Sequence, residues 1–233
     1  MERLPVTVLT GFPGAGKTTL LNQLVRQPGM ARVLVVVGES GAIGLDHRLV
    51  AVVRDVAGVQ VNTGCPCCTI GRDLARTLRE APWRYARSGT PWFERVVIET
   101  AALADPTPML HTLMREPWVR RQYRLDGVVT VVDAVAATAT LDLRPEAVRQ
   151  VAVADRLLLS KADRVEAPAL AALQARLRGL NPGAPQRLVR DGRVDARELI
   201  GIGRNAIERA LAPLDRSGIV SPASPSDRSP HRP

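Results

Sequence analysis

The segment Gly11-Phe12-Pro13-Gly14-Ala15-Gly16-Lys17-Thr18 constrains this chain more than any other part of it. It matches the spacing G-x-x-x-x-G-K-[ST], lies after the apolar run Val6 to Thr10, and opens a helical pattern from Thr18 to Arg26. Strand, glycine-rich turn and helix are the context in which this spacing cradles phosphate. The glycines let the backbone curl so that successive N–H groups face anionic oxygens, and the helix start adds partial positive charge. Lys17 reaches the outer phosphates and the Thr18 hydroxyl ligates Mg2+. Gly11, Gly14, Ala15, Gly16, Lys17, Thr18 and Thr19 are the candidate nucleotide-binding residues. The alternative is a turn that merely starts a helix.

The rest of the chain alternates short β-rich runs with longer helical stretches. Strands are expected at Val6–Thr10, Val33–Val37, Val59–Asn62, Arg95–Glu99, Gly127–Val132, Leu157–Leu159 and Gln186–Val189. Helices are expected from Thr18, over Arg72–Glu80, near Met109–Arg115, from Pro145 to about Ala154, and over Ala167–Leu177. Asp195, with Glu198 three residues on, reads as a capping box opening a last helix to about Leu211. This alternation predicts an α/β fold of the P-loop NTPase type, with a mostly parallel sheet and helices on both faces. Residues 1–212 form that domain. The Pro/Ser-rich residues 213–233 have no apolar periodicity and read as a disordered tail.

Charge and cysteine usage narrow the class. The chain has 32 Lys+Arg against 23 Asp+Glu, a formal charge of +9, yet its arginines are scattered and never interleaved with aromatics. That argues for a solvated basic surface and against nucleic acid. Only two of the cations are lysines, Lys17 and Lys161, and both fall inside motifs. Three clustered cysteines cannot build a disulfide framework and suit a reducing compartment. The N-terminus lacks a leader pattern, and no run approaches the roughly 18 apolar residues of a membrane span, so a cytoplasmic protein is expected.

Three further motifs carry chemistry. The strand ending in Glu99 places a carboxylate where a phosphate-loop protein holds Mg2+, or where an acid simply caps a turn. Leu157-Leu158-Leu159-Ser160-Lys161-Ala162-Asp163 resembles N-K-x-D with Ser for Asn. Asp163 can accept from both N1–H and the exocyclic amine of guanine, while adenine would leave a buried carboxylate unpaired. The Lys161 stem can cover the base. An exposed Lys–Asp pair is the alternative. Gly64-Cys65-Pro66-Cys67-Cys68 puts three thiols within four residues, a density suited to Zn2+, Cu(I) or Co2+. A fourth ligand would come from a side chain, water or a partner's thiolate, with His47 the one histidine near enough in sequence to consider. Buried apolar cysteines or a redox pair compete with this reading.

Taken in order, these motifs resemble the CobW-type GTPases, the metallochaperone relatives of HypB and UreG, over nearly all of residues 5 to 212. The family's N-[DE]-F-G-x-x-G-[IL]-D segment appears as Gly38 to Asp46, its GCxCC motif as Gly64 to Cys68, and its E-T-[ST]-G-L-A-[DE]-P stretch as Glu99 to Pro106. Gly38 and Ser40 replace the usual Asn and Phe, Pro66 a usual aliphatic residue, and Ala102 a glycine. Many members carry a C-terminal domain; here the Pro/Ser-rich tail is expected in its place. The resemblance implies binding of GTP and GDP with Mg2+, slow hydrolysis, and a Zn2+ or Co2+ ion on Cys65, Cys67 and Cys68. It implies catalytic roles for Lys17 and Glu99, with Glu39 and Asp46 near the γ-phosphate or its metal. The implied partner is a client metalloprotein or a cobalamin-pathway enzyme, with a homodimer as an option and no membrane or nucleic acid. A non-catalytic, nucleotide-gated metal sensor or scaffold is the runner-up. A small-molecule kinase is a third reading, which leaves the cysteines without a role.

Overall fold

The computed structural model describes residues 2–39, 56–62 and 70–203. The strands in chain order are β1 (Leu4–Gly11), β2 (Val33–Glu39), β3 (Val56–Asn62), β4 (Ala86–Arg87), β5 (Thr90–Pro91), β6 (Arg95–Glu99), β7 (Tyr123–Asp133), β8 (Arg156–Ser160) and β9 (Gln186–Val189). Seven of them form one sheet in the order β3-β2-β6-β1-β7-β8-β9, and each neighbouring pair is parallel. Parallel strands need crossovers, and the crossovers here are α1 (Lys17–Leu24), α2 (Ile70–Arg84), α3 (Thr107–Arg115), α4 (Pro117–Gln122), α5 (Ala137–Leu143), α6 (Pro145–Ala152) and α7 (Ala167–Leu180).

Period-two alternation sorts each strand between two cores. Val6 and Val8, Leu34 and Val36, and Val96 and Ile98 pack with Leu74, Leu78, Leu110 and Val119 of α2, α3 and α4. Their neighbours Leu9, Val33, Val35, Val97 and Val131 pack with Leu20, Leu24, Leu141, Val151 and Leu177 of α1, α5, α6 and α7. Both faces of the sheet are therefore covered, which is why the central strands read as near-continuous apolar runs.

Three features depart from the sequence-based expectation. First, α2 does not stop at Glu80 but runs through Pro82 to Arg84. Proline lacks the N–H that would bond the carbonyl four residues back. That carbonyl, Leu78 O, accepts the Tyr123 hydroxyl at 2.9 Å instead. Second, β4 and β5 form an antiparallel hairpin closed by Ser88 and Gly89, with φ of 52° and 77°. Both central residues are left-handed, as a two-residue turn requires. Third, the expected capping box does not open an α-helix within the described residues. Asp195 accepts from the Arg197 N–H and caps only a single 3-10 turn, Ala196–Glu198. Glu198 faces Arg156 and Arg187 rather than reaching back. The segment beyond is held by Asp126, whose carboxylate accepts the Gly201 N–H and whose carbonyl accepts the Gly203 N–H. Those N–H groups are thereby withdrawn from helix formation. The expected end at Leu211 and the tail 213–233 lie outside the described residues.

Candidate functional site

Parallel strands point their C-terminal ends at one edge of the sheet, and β1 occupies the middle with β6 on one side and β7 on the other. Chain direction across the sheet reverses around β1, which is where α/β sheets open a ligand crevice. The phosphate loop, Glu99, Asp133 and Ser160 all sit at that edge, because they end or follow β1, β6, β7 and β8.

The loop's backbone is fixed by contact as well as by conformation. A Cβ on Gly11 would lie 2.2 Å from the Val131 carbonyl oxygen, so only glycine lets the loop leave β1 against β7. The Phe12 N–H then donates to that same carbonyl at 3.0 Å. Gly16, at φ 89°, is the left-handed residue that starts α1. Lys17 is buried, and its ammonium donates to the carbonyls of Gly11 at 2.9 Å and Phe12 at 3.1 Å. Burial holds this ammonium below the usual lysine range, an effect partly offset by the Glu99 charge. Thr18 and Thr19 are exposed beside it.

Glu99 is brought to the loop by the β1–β6 pairing, in register with Leu9. The Thr100 N–H donates to the Leu9 carbonyl, and its hydroxyl donates to the Thr10 hydroxyl at 2.7 Å. The Glu99 carboxylate accepts the Thr18 hydroxyl at 2.9 Å. A neutral hydroxyl and a carboxylate this close are the two oxygens a hard divalent cation would share, one of them through water. The donor set fits Mg2+.

Ser160 ends β8, and its hydroxyl donates to the Ala15 carbonyl at 2.8 Å, tying the base motif to the phosphate loop. Lys161 follows in the left-handed region, with φ 55° and ψ 22°. Asp163 sits on the 3-10 turn Ala162–Arg164. Among the described residues Asp163 is exposed.

The cysteine cluster Cys65, Cys67 and Cys68 lies outside the described residues, as do Asp46, His47 and Ser40. For Glu39 only the backbone is described, paired with Asn62. Asn62 ends β3 and Ile70 opens α2, so the described residues stop on either side of the segment that contains the cysteines. Among the described residues no group of three or more His, Cys, Asp or Glu could hold a metal ion, and no helix is long and apolar enough to cross a membrane.

Two residues beside the site receive no role from the sequence, although Asp133 closes the family-like segment Asp126 to Ala134. Asp133 ends β7, accepts the Val135 N–H at 3.0 Å, and pairs with the Lys161 ammonium at 2.6 Å. Gln150, buried on α6, donates its amide to the carbonyls of Ala102 at 3.1 Å and Ala104 at 3.0 Å. Arg149 beside it pairs with Asp105 at 2.9 Å. α6 therefore holds the segment that follows Glu99. Only the strand-end position of Asp133 was visible beforehand; a glutamine on an amphipathic helix carries no signal of its own.

A model of the CobW/HypB/UreG nucleotide-binding domain matches residues 5–187. The zinc chaperone YjiA of Escherichia coli is 35% identical over 195 residues, 84% of this chain and 60% of that protein. The zinc chaperone CobW of Pseudomonas aeruginosa is 33% identical over 214 residues, 79% of this chain and 56% of that protein. The chain thus spans little more than half the length of these relatives. The crystal structure of the Zn(II)-bound YjiA GTPase from E. coli gives a TM-score of 0.64 at 29% identity, covering 87% of this chain and 62% of that one. Nickel-bound HypB from Helicobacter pylori shares the fold, with a TM-score of 0.53 at 19% identity over 89% of this chain and 87% of that one. With a match across most of its length and the loop geometry to go with it, this chain belongs to the CobW/HypB/UreG family and carries its nucleotide-binding domain.

Proposed function

We propose that this protein binds GTP with Mg2+, hydrolyses it slowly, and uses the cycle to take up and hand on a transition metal, Zn2+ or Co2+. The nucleotide's phosphates occupy the loop Gly11–Thr19, where Lys17 exchanges the carbonyls of Gly11 and Phe12 for phosphate oxygens. Thr18 and Glu99 hold the Mg2+, which neutralises charge developing between the outer phosphates. Ser160, Lys161 and Asp163 take the guanine. Glu39 and Asp46 stand with Glu99 as the acids near the γ-phosphate. Nothing in the described site supplies an arginine finger, which is the reason to expect slow turnover. Cys65, Cys67 and Cys68 bind the metal, and the recipient is a cytoplasmic client metalloprotein or a cobalamin-pathway enzyme.

The single observation that carries this reading is the Thr18–Glu99 hydrogen bond, which joins the phosphate loop to the strand-end acid. In sequence the cysteines lie between the segment ending at Asp46 and the one starting at Glu99, the two segments this proposal assigns to the γ-phosphate side of the nucleotide. Hydrolysis that rearranges either segment would alter the cysteine geometry. The names of the E. coli and P. aeruginosa relatives, both zinc chaperones, support the cargo.

The test is a Zn2+ titration of anaerobically purified protein, with a non-hydrolysable GTP analogue and with GDP, in the wild type and in Cys67→Ser. Different affinities in the wild type, lost in the variant, are expected. Equal affinities with the two nucleotides would end the coupling. A nucleotide-gated metal sensor is favoured by Ala102, which sits where the family has glycine and whose carbonyl is tethered by Gln150. Single-turnover phosphate release no faster than in Lys17→Ala would select it.

A further inference from the structure

We infer that Asp133 is a positioning residue of the base site, holding Lys161 where its stem supports the base; this rests on the guanine-nucleotide reading above. Neither residue's packing role alone explains the pair. The chain carries 32 cationic Lys and Arg residues, and lysine is used only at positions 17 and 161. A compact ammonium on a thin stem is therefore what position 161 requires, since a planar guanidinium serves at every other cationic position except Lys17.

The geometry says what the ammonium is for. Lys161 sits at φ 55°, a left-handed conformation that non-glycine residues adopt at a cost and keep only when their surroundings hold them. Arg164 N–H closes on the Lys161 carbonyl, and the Lys161 ammonium closes on Asp133 Oδ2 at 2.6 Å. The Asp133 side chain is only 7% exposed, and its other oxygen is fixed by the Val135 N–H. Asp133 is in register with Ser160, whose carbonyl accepts the Ala134 N–H, so the two strand ends move as one. The flexible Lys161 side chain is thus pinned at both ends, leaving its apolar stem as a fixed shelf one residue from the Ser160–Ala15 link. A shelf held in advance spares a flat base the entropy of ordering four side-chain torsions.

Asp133→Asn tests this, because asparagine keeps the acceptor for Val135 and removes the charge. Competition against a fluorescent GDP analogue, with GDP, ADP and inorganic tripolyphosphate as competitors, reads base and phosphate binding separately. GDP affinity should fall roughly tenfold, with tripolyphosphate unchanged. Lys161→Met, exposed enough to fold, should show the same loss, and the double variant should be no worse than either single one. An unchanged GDP affinity in Asp133→Asn, an equal loss of tripolyphosphate, or additive losses in the double variant would overturn the inference. A wild type that does not prefer GDP to ADP would instead remove the guanine reading, and this inference with it.

Discussion

Ser160 and Ala15, 145 residues apart in sequence, are joined by a hydroxyl-to-carbonyl hydrogen bond of 2.8 Å. The link runs from the loop proposed to take the base to the loop proposed to take the phosphates. A hydroxyl is shorter than the carboxamide the family pattern has here, and it still reaches. Ser160→Ala should leave the fold intact, since the serine lies at the open end of β8. GDP affinity should fall about fivefold, the value of one neutral hydrogen bond of about 1 kcal/mol. Calorimetric titration measures it. An unaltered affinity would mean that the two loops are placed independently.

The Thr18–Glu99 bond makes a different prediction. Glu99→Gln keeps the shape and one acceptor but removes the charge a divalent cation needs. Nucleotide affinity in the presence of Mg2+ should drop about 10- to 100-fold, the worth of a bond to a charged group. Affinity in excess chelator should not drop, and it should rise if the lost charge also relieves repulsion of the phosphates. Equal losses with and without Mg2+ would assign Glu99 to loop packing instead.

Much of this site is readable from the chain because its logic is local. Gly11 to Thr18 is one contiguous turn, Glu99 and Ser160 announce themselves as polar residues ending apolar runs, and burial of β1, β2 and β6 on both faces follows from their near-continuous apolar sequence. What was not readable depends on partners remote in sequence. Pro82 reads as a helix stop, because nothing nearby shows that Tyr123 will bond the Leu78 carbonyl. The Asp195–Glu198 spacing reads as a helix start, because nothing nearby shows that Asp126 will take the N–H groups that follow. Gln150 and Asp133 gain meaning only once α6 lies on the segment after Glu99 and β7 lies beside β8.

The Tyr123–Leu78 contact carries a pH dependence with a definite sign. Burial raises the Tyr123 phenol above its ordinary value of 10.0. A group whose folded pKa is raised contributes stability below its unfolded value and loses it as pH climbs past that value. Urea denaturation should show wild-type stability falling above about pH 10. Tyr123→Phe should lose about 1 kcal/mol near neutrality, where Leu78 O loses its donor, and show a smaller alkaline decline. Matching alkaline slopes for the two proteins would shift the cause to other groups.

Gln150 offers the last and most direct link between packing and turnover. Its amide donates to Ala102 O and Ala104 O, while its own Oε1 has no partner among the described residues. A buried acceptor left unmatched costs about 1–3 kcal/mol. The present arrangement of residues 101–105 is therefore not the one that satisfies this glutamine fully. That segment also follows Glu99, so the γ-phosphate and Gln150 would act on the same few peptides. Gln150→Met fills similar space without donors. Amide exchange should accelerate at residues 101–105 and nowhere else, and the ratio of affinities for a GTP analogue and GDP should change. Exchange that speeds up evenly across the sheet would make Gln150 an ordinary core residue. A local increase with an unchanged nucleotide ratio would separate the tether from the nucleotide response.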